Sequence, residues 1–267
     1  MPGMGLTPLD VVKLLPRTNC GECGEVSCLA FAVAVLSGKR SPRDCPYLDP
    51  TLLAIPGEKT PDSELEQTRR ILREIRQEVA GLDFSRLAPA LGIEERGGRL
   101  YLPYLDGTVE LTPEDARRLD GQELDPRDKI LLYNYVRFQG KAPLSGTFVG
   151  LEAFPHSVSK VATLRRYAEE KMARALEQDE SGLRRALSVF RVKELPGEAD
   201  LAFEVWVLPR VPLRIYYWRG SPEEGLSPQV KVLYDLRATE YLDLESLVFC
   251  AERFTERWIE VGECSSG

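Results

Sequence analysis

The chain contains one histidine in 267 residues, which excludes any site built on two imidazoles, including the HExxH metalloproteases. Its longest unbroken apolar run, Leu29–Leu36, is far short of the ~18 residues of a membrane span, so no membrane span is expected. No basic stretch followed by an apolar one opens the sequence, so nothing marks it for secretion and a cytoplasmic location is expected. Walker-type, GxGxxG, GxSxG and kinase motifs are missing. There is no basic excess either: 35 Lys and Arg stand against 42 Asp and Glu, a net charge of −7, which argues against a nucleic-acid partner. With 43% hydrophobic and 29% charged residues the composition is that of a globular protein, and the length suits one large domain or two modest ones.

What is present is cysteine, unevenly placed. Four of six lie near the start, as Cys20, Cys23, Cys28 and Cys45, and two near the end, as Cys250 and Cys264. A reducing compartment disfavours disulfides. Structural zinc sites usually present two close cysteine pairs, and here there is one, with a third cysteine almost at once. Three thiolates in one loop with a distant fourth before a proline (Pro46) is the iron–sulfur pattern; a zinc knuckle is the competing reading. Gly21 and Gly24 give the loop tight backbone conformations and let amides approach the sulfurs. Ser27 should N-cap a helix starting at Cys28, with Gly38 as its C′ residue. That helix aims its positive end at the site, an effect of about 0.3–1 kcal/mol. Arg17 would favour a reduced cluster, and Glu22 and Glu25 would oppose it. Apolar all round, Leu29–Leu36 reads as a helix buried on every side, packed on a first helix with Thr7 as N-cap, Pro8 at N1 and Asp10 in its first turn.

Leu15-Pro16-Arg17-Thr18-Asn19-Cys20-Gly21-Glu22-Cys23-Gly24, Ser27-Cys28-Leu29-Ala30-Phe31-Ala32 and Asp44-Cys45-Pro46-Tyr47 together resemble the [4Fe-4S] domain of corrinoid iron–sulfur protein large subunits. The same cysteine spacing occurs in Rnf-type B subunits. The resemblance covers roughly residues 5–50. It implies that Cys20, Cys23, Cys28 and Cys45 bind one [4Fe-4S] cluster, in a setting of anaerobic one-carbon metabolism. Roughly 200 residues remain, too few for both the barrel and the cobalamin domain of that subunit at ordinary domain sizes. Nor is there a histidine in an Asp-x-His corrinoid-ligand context, so the chain is not expected to be the methyl carrier itself.

Past Pro50, the stretch Ile55-Pro56-Gly57 to Pro61-Asp62 reads as a linker. A helix over about Ser63–Ala80 follows, with Leu65, Thr68, Leu72, Ile75 and Val79 on one face and Glu66, Arg70 and Glu74 on the other. Arg99–Leu105, Asp106-Gly107 and Thr108–Leu111 predict a hairpin with a type I′ turn, and Gly97-Gly98 a simple turn. Thr112-Pro113 and Asp125-Pro126 each look like an N-cap followed by N1 proline, the second opening a helix through Leu131 and Val136. A strand is expected near Thr147–Leu151, a helix through Val161 to Met172 and a shorter one at Leu183 and Leu187. Strands at Leu201–Leu208, Leu213–Arg219 and Val230–Tyr234 precede a C-terminal helix. The fold class is therefore α+β, a small helical module before a larger domain with an antiparallel sheet. The division is 1–55 for the cysteine module, 56–82 for linker and helix, and 83–267 for the α+β domain. Pro143-Leu144-Ser145-Gly146-Thr147-Phe148, and Leu208-Pro209-Arg210-Val211-Pro212-Leu213 leading to Trp218, resemble an uncharacterised domain family of anaerobic prokaryotes, which implies no activity.

Few groups in that domain suggest chemistry. His156 reads as a helix-start or surface residue, without a nucleophile motif beside it. Cys250 reads as a core thiol and Cys264 as an exposed tail thiol. Arg214, Tyr216 and Trp218 share a strand face near Arg210 and Arg219; it reads as a partly covered sheet face with snorkelling arginines, with an anion or planar-ligand site as the alternative. The leading functional expectation is low-potential, one-electron transfer by one [4Fe-4S] cluster to or from a redox partner protein, with a corrinoid protein as the candidate. The other is a ligand-binding or regulatory protein whose cluster is structural or redox-sensing.

Overall fold

The computed structural model describes residues 7–37, 39–49, 61–140 and 142–264. Gly38 and the stretch from Pro50 to Thr60 lie outside them, so the expected helix C′ residue and most of the linker have no structural account. Contacts group the chain into two compact units, Met1–Glu66 and Gln67–Gly267.

In the first unit, α1 (Pro8–Lys13) opens on a capping box: Thr7 Oγ1 accepts from the Asp10 amide, while Asp10 Oδ2 accepts from the Thr7 amide at 3.1 Å. The second helix, α2 (Cys28–Leu36), is capped by Ser27, whose Oγ accepts from the Ala30 amide at 3.1 Å. A short 3-10 turn, Pro42–Asp44, leads into Cys45. Val11, Leu15, Phe31, Ala32, Val35, Cys45 and Leu48 form the unit's core. The expectation that α2 is buried on every side fails, because Leu29 is 49% and Val33 50% exposed. So small a unit has only enough apolar partners to cover one side of a helix.

The helix α3 (Pro61–Ala80) buries Leu72, Ile75 and Val79, as its 3–4 periodicity requires. After it comes α4 (Phe84–Leu91), N-capped by Asp83 and closed by Gly92 in the left-handed region; the sequence reading did not anticipate this helix. Four strands, β1 (Glu94–Arg96), β2 (Arg99–Tyr104), β3 (Gly107–Leu111) and β4 (Ala116–Arg118), make an antiparallel meander. Gly97 and Gly98, both at positive φ, join β1 to β2. The β2–β3 turn is shifted by one residue from expectation. Tyr104 pairs with Gly107, leaving Leu105 and Asp106 as the turn, and only Leu105 has positive φ, which is incompatible with type I′. Two contacts set this register. The Leu105 amide donates to Val207 O at 3.1 Å, and a Cβ on Gly107 would stand 2.5 Å from Arg118 Nη2. Thr112-Pro113 opens no helix: Thr112 Oγ1 instead accepts from the Glu114 and Asp115 amides, in a tight turn from β3 into β4.

The other sheet consists of β5 (Phe148–Gly150), β6 (Val192–Glu194), β7 (Leu201–Leu208), β8 (Val211–Trp218) and β9 (Gln229–Asp235). Its order is β5-β9-β8-β7-β6, antiparallel throughout. Helices α5 (Pro126–Phe138), α6 (Val158–Leu164), α7 (Glu170–Ala186) and α8 (Leu244–Cys264) complete the unit. The fold class is α+β. Between α6 and α7 runs a π-helical segment, Arg165–Glu169, so the helix read from Val161 to Met172 is interrupted. Asp179 leaves helical φ/ψ and kinks α7; the short helical stretch beyond it carries Leu183, as expected, and Leu187 opens the 3-10 turn Leu187–Val189 that follows. The core gathers around α8: Trp258 packs edge-on to Phe203 at 5.4 Å and stacks on Phe254 at 5.5 Å.

Candidate metal centre

The approach to the first cysteine is shaped by the backbone. Arg17 and Asn19 both have positive φ, a conformation Asn tolerates better than most residues. Asn19 Oδ1 then accepts the Cys28 amide at 2.9 Å, tying the loop before Cys20 to the first residue of α2. Gly21 and Gly24 follow at φ +77° and +79°, and the Gly24 amide closes a turn on Gly21 O at 2.9 Å. Gly24 has a second reason to lack a side chain, since a Cβ there would lie 2.7 Å from Arg40 Nη2.

These constraints bring the four cysteines to a common pocket, lined by Cys20, Cys23, Cys28 and Cys45 together with Leu15 and Phe31. Cys20 is exposed, Cys23 and Cys28 are half-buried and Cys45 is buried. Cys28 is the first residue of α2, so its thiol stands at the positive end of that helix. Cys45 leaves the 3-10 turn in extended conformation; Ser41 and Asp44 hold that turn in a capping box. Among the described residues, no group of three or more histidine, cysteine, aspartate or glutamate side chains is arranged to hold a single metal ion. What the cysteines share is the pocket wall.

The charges around the pocket are already engaged. Arg40 Nε donates to Glu25 Oε1 at 3.1 Å, and the Tyr47 hydroxyl donates to Glu22 Oε1 at 2.9 Å, which pushes the phenol's pKa up. Arg17 Nε donates to Val12 O at 3.3 Å. Glu25 is the one carboxylate on the pocket wall among the described residues, and its pairing leaves a donor set of thiols. Soft sulfur donors beside the apolar side chains of Leu15 and Phe31 fit an iron–sulfur cluster. Sequence reasoning missed the roles of Asn19, Arg40 and Tyr47. The Asn preceding a cysteine was a usable signal; Arg40 and Tyr47 meet their partners only through tertiary folding.

The remaining singled-out groups fall elsewhere. His156 is exposed, at positive φ, two residues before α6. Cys250 is fully buried, and burial pushes its thiol's pKa strongly up. Cys264 is exposed and ends α8 rather than lying in a tail. The arginine-aromatic face is largely neutralised. Arg214 Nε donates to its cross-strand partner Glu204 at 2.8 Å and lies over Phe148 at 3.8 Å, while Arg219 holds Glu180 and Asp200. The Pro143–Phe148 segment is pinned by buried Asp235, which accepts from the amides of Ser145 and Gly146 at 3.0 and 2.7 Å.

A pocket of four cysteines on a small helical unit, in one chain with a two-sheet α+β unit, defines a cysteine-cluster protein with an appended domain. That domain places it more narrowly: the chain belongs to the family described as "Domain of unknown function (DUF3786)", whose model matches residues 83–257. A second family model, described as "Putative Fe-S cluster", matches residues 15–47. Over 45 residues the chain is 56% identical to the corrinoid/iron-sulfur protein large subunit of Moorella thermoacetica, covering 17% of this chain and 10% of that one. It is 49% identical over 45 residues to the acetyl-CoA decarbonylase/synthase complex subunit gamma of Methanothermobacter thermautotrophicus, again 17% and 10% of the two chains. The Methanosarcina acetivorans subunit of that name is 40% identical over 76 residues, 28% of this chain and 15% of the other. The chain thus spans only a tenth to a seventh of these relatives' lengths. No solved structure matches it. No helix among the described residues is long and apolar enough to cross a membrane.

Proposed function

We propose that Cys20, Cys23, Cys28 and Cys45 each bind one iron of a single [4Fe-4S] cluster, and that the protein carries single electrons at low potential in the cytoplasm of an anaerobe. The observation that carries this reading is the common pocket of four cysteines at the N-terminus of α2. When bound, the cluster supplies a one-electron couple in a thiolate cage. The chain's own residues do the rest. Asn19 and Ser27 fix the entry to α2, Gly21 and Gly24 bend the loop, and Phe31 and Leu15 keep one wall dry. In this reading 1–55 is the cluster module, 56–82 a linker and helix, and 83–267 a separate domain. The likeness to corrinoid and acetyl-CoA complex subunits supports a place in one-carbon metabolism and a redox partner protein, with a corrinoid protein as the candidate.

Anaerobic purification with iron, sulfide and zinc analysis, followed by EPR of the dithionite-reduced protein, tests this reading. It requires about four irons and four sulfides per chain and a one-electron paramagnetic signal. Stoichiometric zinc without sulfide overturns it.

A further inference from the structure

Cys20, Cys23 and Cys28 follow one another closely, whereas Cys45 returns only after the whole of α2 and the 3-10 turn. Of the four it therefore gives up most chain freedom when all are held together. The core secures one side of the segment that brings it back. Pro42, Cys45 and Leu48 are buried, while Arg43, Asp44, Pro46 and Tyr47 between them are exposed. Pro46 takes the second position of a turn closed by the Leu48 amide on Cys45 O at 3.3 Å, a place that suits its fixed φ. The turn leaves Tyr47 56% exposed.

Two side-chain bonds then cross from this segment to the cysteine loop. Ahead of Cys45, Arg40 Nε donates to Glu25 Oε1 at 3.1 Å; beyond it, the Tyr47 hydroxyl donates to Glu22 Oε1 at 2.9 Å. The acceptors are the two carboxylates of the loop. Glu22 stands in the gap between Cys20 and Cys23, and Glu25 in the gap between Cys23 and Cys28. Gly24, between them, leaves room for the Arg40 guanidinium. Each gap in the loop is thus tied to one flank of Cys45. Neither Glu22 nor Tyr47 has another side-chain partner among the described residues.

We propose that Glu22 and Tyr47 are positioning residues for the fourth ligand: their bond latches the Cys45 segment to the loop, keeps Cys45 within reach of the other three thiols and slows loss of the cluster. The latch rests on the cluster reading above. A bond between two exposed groups adds little to global stability. Here it acts on the one segment whose freedom decides whether Cys45 stays, and a thiol that lets go is recaptured faster when its segment is held nearby. Glu22 then serves as a tie and not simply as a charge opposing reduction.

Chelator challenge of the full-length protein tests the latch. Protein purified anaerobically, with iron, sulfide and zinc assayed first, is mixed with excess ferrous chelator, and the loss of its visible absorbance is timed. Tyr47→Phe keeps the ring and removes the donor; Glu22→Leu removes the acceptor. Both side chains are exposed, so the core stays intact in each variant. Each should lose the cluster at least about threefold faster than the parent. The double variant should be no faster than the faster single one, since both changes remove the same bond. Glu22→Gln keeps a carbonyl acceptor for the phenol and should stay close to the parent rate. Zinc without sulfide in the parent sinks the cluster reading and the latch with it. In a cluster-loaded parent, an unchanged rate in Tyr47→Phe, single effects that multiply in the double variant, or Glu22→Gln as fast as Glu22→Leu overturns the latch alone.

Discussion

A single carboxylate can be tested without knowing any ligand. Asp115, in the turn between β3 and β4, accepts from Arg76 at 2.7 Å, Lys129 at 2.8 Å and Arg117 at 3.0 Å. Partial burial opposes its charge, but the hydrogen bonds from Lys129 and Arg117 outweigh that and hold its pKa at about 2, against an ordinary 3.8. The folded-state value lies below the unfolded one. The stabilisation is therefore complete above about pH 4 and is lost as pH falls towards 2. The side chain is 28% exposed, so solvent screening trims the effect to roughly 1–2 kcal/mol. Asp115→Asn should unfold at lower urea concentration near pH 7, and the gap from the parent should narrow steadily below about pH 4. A pH-independent gap would mean that shape, not charge, is what Asp115 contributes.

At the scale of elements, α8 shows where packing dominates. Trp258 is fully buried, and its Nε1–H donates to Leu183 O at 2.8 Å, fastening α8 to the part of α7 beyond the Asp179 kink. The Leu187 amide also donates to that carbonyl, so losing the indole N–H does not leave it bare. Trp258→Phe should then cost about 1–2 kcal/mol, and Trp258→Ala about 3–5 kcal/mol, because the ring also fills the space beside Phe203 and Phe254. Thermal denaturation of both variants checks the ranking; equal losses would place the stabilisation in the hydrogen bond rather than the ring. Elements whose ends are set locally were legible in the sequence: Thr7, Ser27 and Asp125 cap the helices they were expected to cap. Elements set by distant contacts were not. Leu105 takes its turn position from Val207, and Thr112 caps a hairpin turn because Ala116 pairs back to Leu111. The same divide runs through the sites. The cysteine spacing is local and was read directly, whereas Arg40 and Tyr47 reach Glu25 and Glu22 across 15 and 25 residues of chain, which sequence periodicity cannot bring together.

The whole molecule combines two cores of unequal size that share no residue: one centred on Phe31, Val35 and Cys45, the other on α8 and the two sheets. The small core holds few apolar side chains, and a unit of that size usually needs a metal or a cross-link to be stable. Cluster binding would supply that stability, because thiolate ligation adds free energy to the folded state alone. The larger unit, about 200 residues, carries none of the four clustered cysteines and should absorb on the order of 140 kcal/mol in its own transition. Differential scanning calorimetry of the anaerobic full-length protein should therefore show two transitions. Stripping iron with a chelator should abolish or lower the smaller one and leave the larger within about 2 °C of its original midpoint. A single transition that shifts as a whole on iron removal would show instead that the two cores unfold together, and the cysteine unit would then be part of what holds the α+β domain in its fold.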